Sequence, residues 1–136
     1  MSTATDQQCC DKGRLMIVDD ESTVRRMFSS IVRAGFPNLD QEAAANGQEA
    51  VDLFQKSRPA VILMDLHMPK MDGLTAFRSI ERLCRERSWE MPGTIFCTGY
   101  EPDSSLQEIV SGEEHCLLLK PIMPEDLLNE IGKRIG

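Results

Sequence analysis

The chain has 136 residues, 41% hydrophobic and 27% charged, with a formal charge of −7; that suffices for one domain with a continuous core and does not suit a disordered tail. So acidic a chain, with no basic stripe, is a poor partner for phosphate backbones, and no direct nucleic-acid contact is expected. No apolar run reaches membrane-spanning length and the polar start lacks a signal-peptide core, so the expectation is a cytoplasmic protein without membrane insertion.

In chain order, residues 1–12 read as a flexible leader and 13–136 as a single folded domain. Residues 14–18 form the first predicted strand. Val24, Met27, Phe28, Ile31 and Val32 then recur at spacings of three and four, predicting an amphipathic helix with Ser22 or Thr23 near its start and Gly35 and Pro37 ending it. Residues 40–45 are the weakest strand candidate, since alanine has little strand preference. Asn46-Gly47 turns into a second helix with Ala50, Val51 and Phe54 inward, closed by Ser57, Arg58 and Pro59. Residues 61–64 are a short uninterrupted apolar run, as expected of a strand buried on both faces of a parallel sheet.

A Pro- and Gly-punctuated turn follows, then a helix over 73–88 burying Leu74, Phe77, Ile80, Leu83 and Cys84. Residues 94–97 are the fourth strand. Residues 102–112 form a helix with a thin apolar stripe of Leu106, Ile109 and Val110, which predicts loose packing. Residues 116–119 are the fifth strand, and Pro124 opens a last helix burying Leu127, Leu128, Ile131 and Ile135. Fivefold strand-helix alternation is the signature of a doubly wound parallel sheet with helices on both faces. Of the five cysteines, Cys97 and Cys116 fall in apolar strands, where a thiol acts as a small hydrophobe. Cys84 lies on a helix, and Cys9-Cys10 falls in the leader, read as a mobile tail.

The chemistry collects at strand ends. Asp65 closes the central run, Asp19-Asp20 closes the first, Thr98 the fourth and Lys120 the fifth. In a parallel sheet these ends share one rim, where ligands bind. Three carboxylates there repel one another, and a divalent cation with oxygen preference resolves the conflict; Mg²⁺ suits it best. A nucleophilic Asp65, a metal, a lysine charge and a threonine donor are what phosphoryl transfer to a carboxylate requires. Plainer roles stand beside these: Asp65 as a turn residue, Asp19-Asp20 as helix caps, Thr98 as a strand end, Lys120 as a surface charge. Asp72 fits turn formation before Gly73 better than catalysis.

Asp19-Asp20, the run Ser22-Thr23-Val24-Arg25-Arg26-Met27, the run Asp65-Leu66-His67-Met68-Pro69-Lys70-Met71-Asp72-Gly73, Thr98-Gly99 and Lys120-Pro121, in that order and spacing, resemble the receiver domains of two-component response regulators, especially the single-domain chemotaxis type. The resemblance implies a flavodoxin-like (βα)5 fold with strand order 2-1-3-4-5. It further implies that Asp65 accepts a phosphoryl group from a sensor histidine kinase or a phosphotransfer protein. Asp20 would ligate Mg²⁺ directly, Asp19 mainly through water, and Asp65 and the His67 carbonyl would also be ligands. Thr98 would turn its hydroxyl toward the phosphoryl group and Lys120 would pair with it, from a cis Lys120-Pro121 peptide.

By that resemblance the chain is a phosphoacceptor switch, not an enzyme beyond its own phosphorylation and slow dephosphorylation. It would act on an unidentified downstream protein through the fourth helix, fifth strand and last helix. No output domain is expected within residues 13–136. One departure from the family pattern is Leu117, where an aromatic switch residue is usual. Tyr100 is the nearby aromatic, and His67 and Tyr100 are expected to flank the phosphoryl group and tune its lifetime. Two rivals are a haloacid-dehalogenase-like phosphohydrolase, whose second motif aspartate is replaced here by Glu21, and a pseudo-receiver, against which the intact acidic set argues. A flavin module is disfavoured because no phosphate-binding loop follows the first strand.

Overall fold

Short apolar runs become strands and the three-to-four-spaced runs become helices in the computed structural model, which describes residues 10–99 and 103–135. The elements are β1 (Asp11–Val18), α1 (Ser22–Gly35), β2 (Asp40–Ala44), α2 (Gly47–Ser57), β3 (Pro59–Asp65), α3 (Gly73–Arg87), β4 (Gly93–Thr98), α4 (Ser104–Val110), β5 (His115–Leu119) and α5 (Pro124–Ile135). The strands pair in parallel in the order β2-β1-β3-β4-β5, as the resemblance implies.

Alternation along the strands divides the core in two, because successive side chains point to opposite faces. Met16, Val18, Ile62, Met64 and Phe96 join Phe54 of α2, Phe77 and Ile80 of α3 and Leu106 of α4 on one side. Leu15, Ile17, Leu63, Ile95 and Cys97 join Phe28 and Val32 of α1 and Leu127 and Ile131 of α5 on the other. Every residue of β3 is buried, which is why its sequence is apolar without alternation. Pairing Val18 with both Ala44 and Met64, Asp65 with Cys97 and Thr98 with Leu119 brings the carboxyl ends of the strands to one level.

Turn chemistry sets where three helices begin. Asn46 accepts the Glu49 N–H at 2.9 Å while the Glu49 carboxylate accepts the Ala45 N–H at 3.1 Å, close to a capping box. Asp72 accepts the Thr75 N–H at 2.8 Å and Asp103 the Leu106 N–H at 3.0 Å. Asp72 is therefore the turn residue expected of it.

Several expectations need correction. β1 begins at Asp11, inside the stretch read as leader, and Cys10 is buried rather than part of a mobile tail. The first three residues of β1 are exposed and the Asp11 N–H donates to the Arg58 carbonyl at 2.8 Å; backbone pairing extends the strand where no hydrophobic pattern marks it. α1 does start at Ser22, as expected, with Glu21 at the cap position and making no side-chain bond there, while the Asp19 carboxylate takes the Glu21 N–H at 3.0 Å. Met27, placed inward by periodicity, is 50% exposed. α4 runs seven residues, shorter than the predicted 102–112, with Leu106 its buried side chain. Residues 1–9, Tyr100 and Pro102 lie outside the described residues.

Candidate functional site

The rim gathers the residues singled out in the sequence. Asp19 follows β1 and is buried, Asp20 beside it is exposed, and Asp65 ends β3 and is buried. Asp19, Asp20 and Asp65 each offer an oxygen, and the three oxygens lie within 4.8 Å of one another. Lys120, just past β5, brings its ammonium to 3.5 Å from Asp65 Oδ1 and 3.8 Å from Asp19 Oδ2. The Lys120-Pro121 peptide is cis, and the Lys120 N–H donates to the Thr98 carbonyl at 2.7 Å. Thr98 is buried at the end of β4, one residue beyond the Cys97 that pairs with Asp65.

His67 meets the site through its backbone. Its N–H donates to Asp65 Oδ1 at 3.4 Å, and the residue itself is exposed. The loop from Leu66 to Asp72 closes where the Gly73 N–H donates to the Leu66 carbonyl at 3.0 Å. A Cβ on Gly73 would collide with the carbonyl oxygen of Asp65 and with Met64, so the start of α3 lies directly against the backbone of the central aspartate. Leu117 is half-buried and packs against the core on the α2, α3 and α4 side.

Charge in this crevice is unevenly compensated. Burial pushes the Asp19 carboxyl above the usual aspartate range, Asp65 and Asp20 push it the same way, and the Glu21 N–H and Lys120 oppose them. For Lys120, burial acts downward, but Asp65 and Asp19 outweigh it and hold the ammonium above the ordinary lysine value. Asp19 Oδ2 is buried without a hydrogen-bond donor. An orphaned carboxylate oxygen beside two further carboxylates, in an all-oxygen donor set, is what a hard divalent cation or its water would satisfy.

One contributor carried no assigned role in the sequence reading. The Arg25 guanidinium donates to the Asp19 carbonyl at 2.6 Å, pinning the backbone between the acidic pair and α1. The signal available was position: Arg25 stands one turn into the helix that starts beside Asp19, so its long side chain can reach back to that junction.

The response regulator receiver domain profile matches residues 15–132. Chemotaxis protein CheY of Bacillus subtilis (strain 168) is 28% identical over 124 residues, covering 90% of this chain and 98% of that protein. Among solved structures, Vibrio cholerae chemotaxis protein CheY4 aligns with a TM-score of 0.71 and 27% identity over 89% of this chain and 97% of its own. The receiver domain of Saccharomyces cerevisiae Ssk1, solved together with the histidine phosphotransfer signaling protein Ypd1, shares the fold, with a TM-score of 0.76, 21% identity, and coverage of 89% of this chain and 87% of that one. With the parallel sheet, the acidic rim and these matches together, the chain belongs to the response regulator receiver domain family, the receiver module of two-component signalling.

Proposed function

We propose that Asp65 accepts a phosphoryl group from the phosphohistidine of a sensor histidine kinase or histidine phosphotransfer protein, and that the adduct changes how the face formed by α4, β5 and α5 binds a downstream protein in the cytoplasm. The observation that carries this is the meeting of Asp19, Asp20 and Asp65 oxygens within 4.8 Å, with the Lys120 ammonium 3.5 Å from Asp65. The occurrence of the same fold in a complex with Ypd1 supports a phosphotransfer partner.

In the transfer, a carboxylate oxygen of Asp65 attacks phosphorus as the phosphorus–nitrogen bond of the donor breaks, and the leaving imidazole takes up a proton. Lys120 pairs with a phosphoryl oxygen as a compact charge, and the Thr98 hydroxyl donates to another. The His67 N–H, already directed at Asp65 Oδ1, orients the nucleophile. Mg²⁺ fits the donor set: Asp20 would hold it directly, Asp19 mainly through a water to which Oδ2 is a ready acceptor, with Asp65 and the His67 carbonyl completing the protein ligands. When bound, the ion neutralises carboxylate repulsion and the charge gathering on the phosphoryl oxygens. The chain's own chemistry ends with its phosphorylation and slow dephosphorylation.

The test is intact-mass measurement after incubation with acetyl phosphate, with and without Mg²⁺. One added phosphoryl group, dependent on metal and absent in Asp65→Asn, is expected; equal labelling of the variant would overturn the assignment. For the lifetime role of His67 and Tyr100, dephosphorylation of His67→Ala and Tyr100→Ala is the measurement, and unchanged rates in both would remove that role.

A further inference from the structure

At the end of the sheet away from the acidic rim, two thiols share one acceptor. Cys10 stands immediately before β1, and Cys84 lies in the last turns of α3. The Cys10 thiol donates to the Glu90 carbonyl at 3.3 Å and the Cys84 thiol reaches the same oxygen at 3.7 Å. Sulfurs that both reach one atom at those distances are at most about 7 Å apart. Cys10 belongs to the core on the α1 and α5 face and Cys84 to the core on the α2, α3 and α4 face, and the two approach each other at the Glu90 carbonyl.

A cavity and a cation adjoin this pair. Cys10 and Glu90 line a cavity of about 380 Å³ with Met91, Gly93 and Glu113, which gives a small molecule a route to one of the two sulfurs. The Arg58 guanidinium lies 4.3 Å from the Trp89 ring centre, and its buried Nη1 has no hydrogen-bond partner. Its charge favours the thiolate of both Cys10 and Cys84. The proposed phosphoryl chemistry uses none of these groups.

We propose that Cys10 and Cys84 are a redox pair that closes to a disulfide when the protein meets a small-molecule disulfide oxidant, stapling the start of β1 to the end of α3. The Cys10 thiolate attacks one sulfur of the oxidant, forming a mixed disulfide and releasing one small thiolate. The Cys84 thiolate then attacks the Cys10 sulfur, forming the protein disulfide and releasing the second. The protons lost by the two cysteines leave on the two released thiols, so the protein is oxidised by two electrons and the oxidant reduced by two. Burial, which pushes the Cys10 thiol up to about 12 and Cys84 up to about 11, makes the closure slow at neutral pH and faster in base.

The experiment exposes the folded full chain, carrying Cys9→Ser so that the pairing is unambiguous, to oxidised glutathione between pH 7 and 9. Expected are a mass lower by two hydrogens, a single linked peptide joining Cys10 to Cys84, reversal by dithiothreitol and a higher Tm for the oxidised form. The rate rises about tenfold per pH unit, as thiolate-limited exchange requires. Cys84→Ser, or Cys84→Ala should the serine variant fold poorly, retains one glutathione on Cys10 instead of losing hydrogens. A linkage through Cys97 or Cys116, or closure only in denaturant, would overturn the proposal.

Discussion

At Asp19, burial and two neighbouring carboxylates act together on one acid whose Oδ2 finds no donor. A folded-state pKa raised above the unfolded value means that this group favours the fold when protonated, and that the gain is lost as pH rises through the folded pKa. Asp19→Asn keeps the oxygen that takes the Glu21 N–H and removes the charge. In a metal chelator at pH 7 it is expected to stabilise the protein by about 1 kcal/mol in urea unfolding, an order set by relief of a buried like-charge contact. The same variant shows a smaller Tm rise on adding Mg²⁺. His115 gives the opposite sign. Its Nδ1 accepts the Thr94 N–H at 3.1 Å and its ring meets Phe77 edge-on at 5.0 Å, an arrangement open only to the neutral imidazole. Burial lowers its pKa and Arg134 acts the same way, while Glu114 and Glu81 oppose them. The stability this supplies is complete above about 6.5, the unfolded histidine value, and declines as pH falls below it. Denaturation between pH 5 and 8 should show this slope, and His115→Asn should flatten it. At this scale Asp19, Asp20, Asp65 and Lys120 were legible because charged residues ending apolar runs have few other reasons to stand there. Arg25 was not, because its partner is a backbone carbonyl that no residue type announces.

Two helices end in the left-handed region without glycine: α2 at Arg58, with φ 45°, and α3 at Ser88, with φ 55°. A side chain there is strained and glycine is not. Ser88 is exposed, so Ser88→Gly should stabilise by roughly 0.5–1 kcal/mol, read as a shift in denaturation midpoint with unchanged slope. Arg58 keeps its position for another reason, since its guanidinium covers Trp89. The beginning of β1 was hidden because its exposed residues pair through backbone groups, which leave no periodic trace in sequence. Met27 misled for the converse reason: it continues the spacing of three and four but faces solvent beside the stripe that Phe28 and Val32 bury. The stripe of α4 lies where it was read: Leu106 is buried, and Ile109 and Val110 pack part-buried against the same core.

For the whole molecule, the parallel arrangement followed from alternation of short apolar runs with amphipathic segments, because parallel neighbours require crossovers. The strand order did not follow from that pattern; it came with the family resemblance, and the register shows why it matters by seating β1 and β3 side by side so that Asp19 and Asp65 adjoin. Ligand binding at that junction should be felt by the entire fold. If Mg²⁺ binds the native rim and not the unfolded chain, a hundredfold excess over Kd adds about 2.7 kcal/mol. Thermal melts at millimolar Mg²⁺ against chelator should show the rise, and its absence would count against the acidic pocket.

The contact between Gly73 and the Asp65 backbone has a directional corollary. With α3 abutting the main chain on that flank and no room even for a methyl group, the crevice has a rigid wall there. A bulky substituent on the Asp65 carboxylate meets the Lys120 ammonium, 3.5 Å away, and through it the loop that follows the half-buried β5.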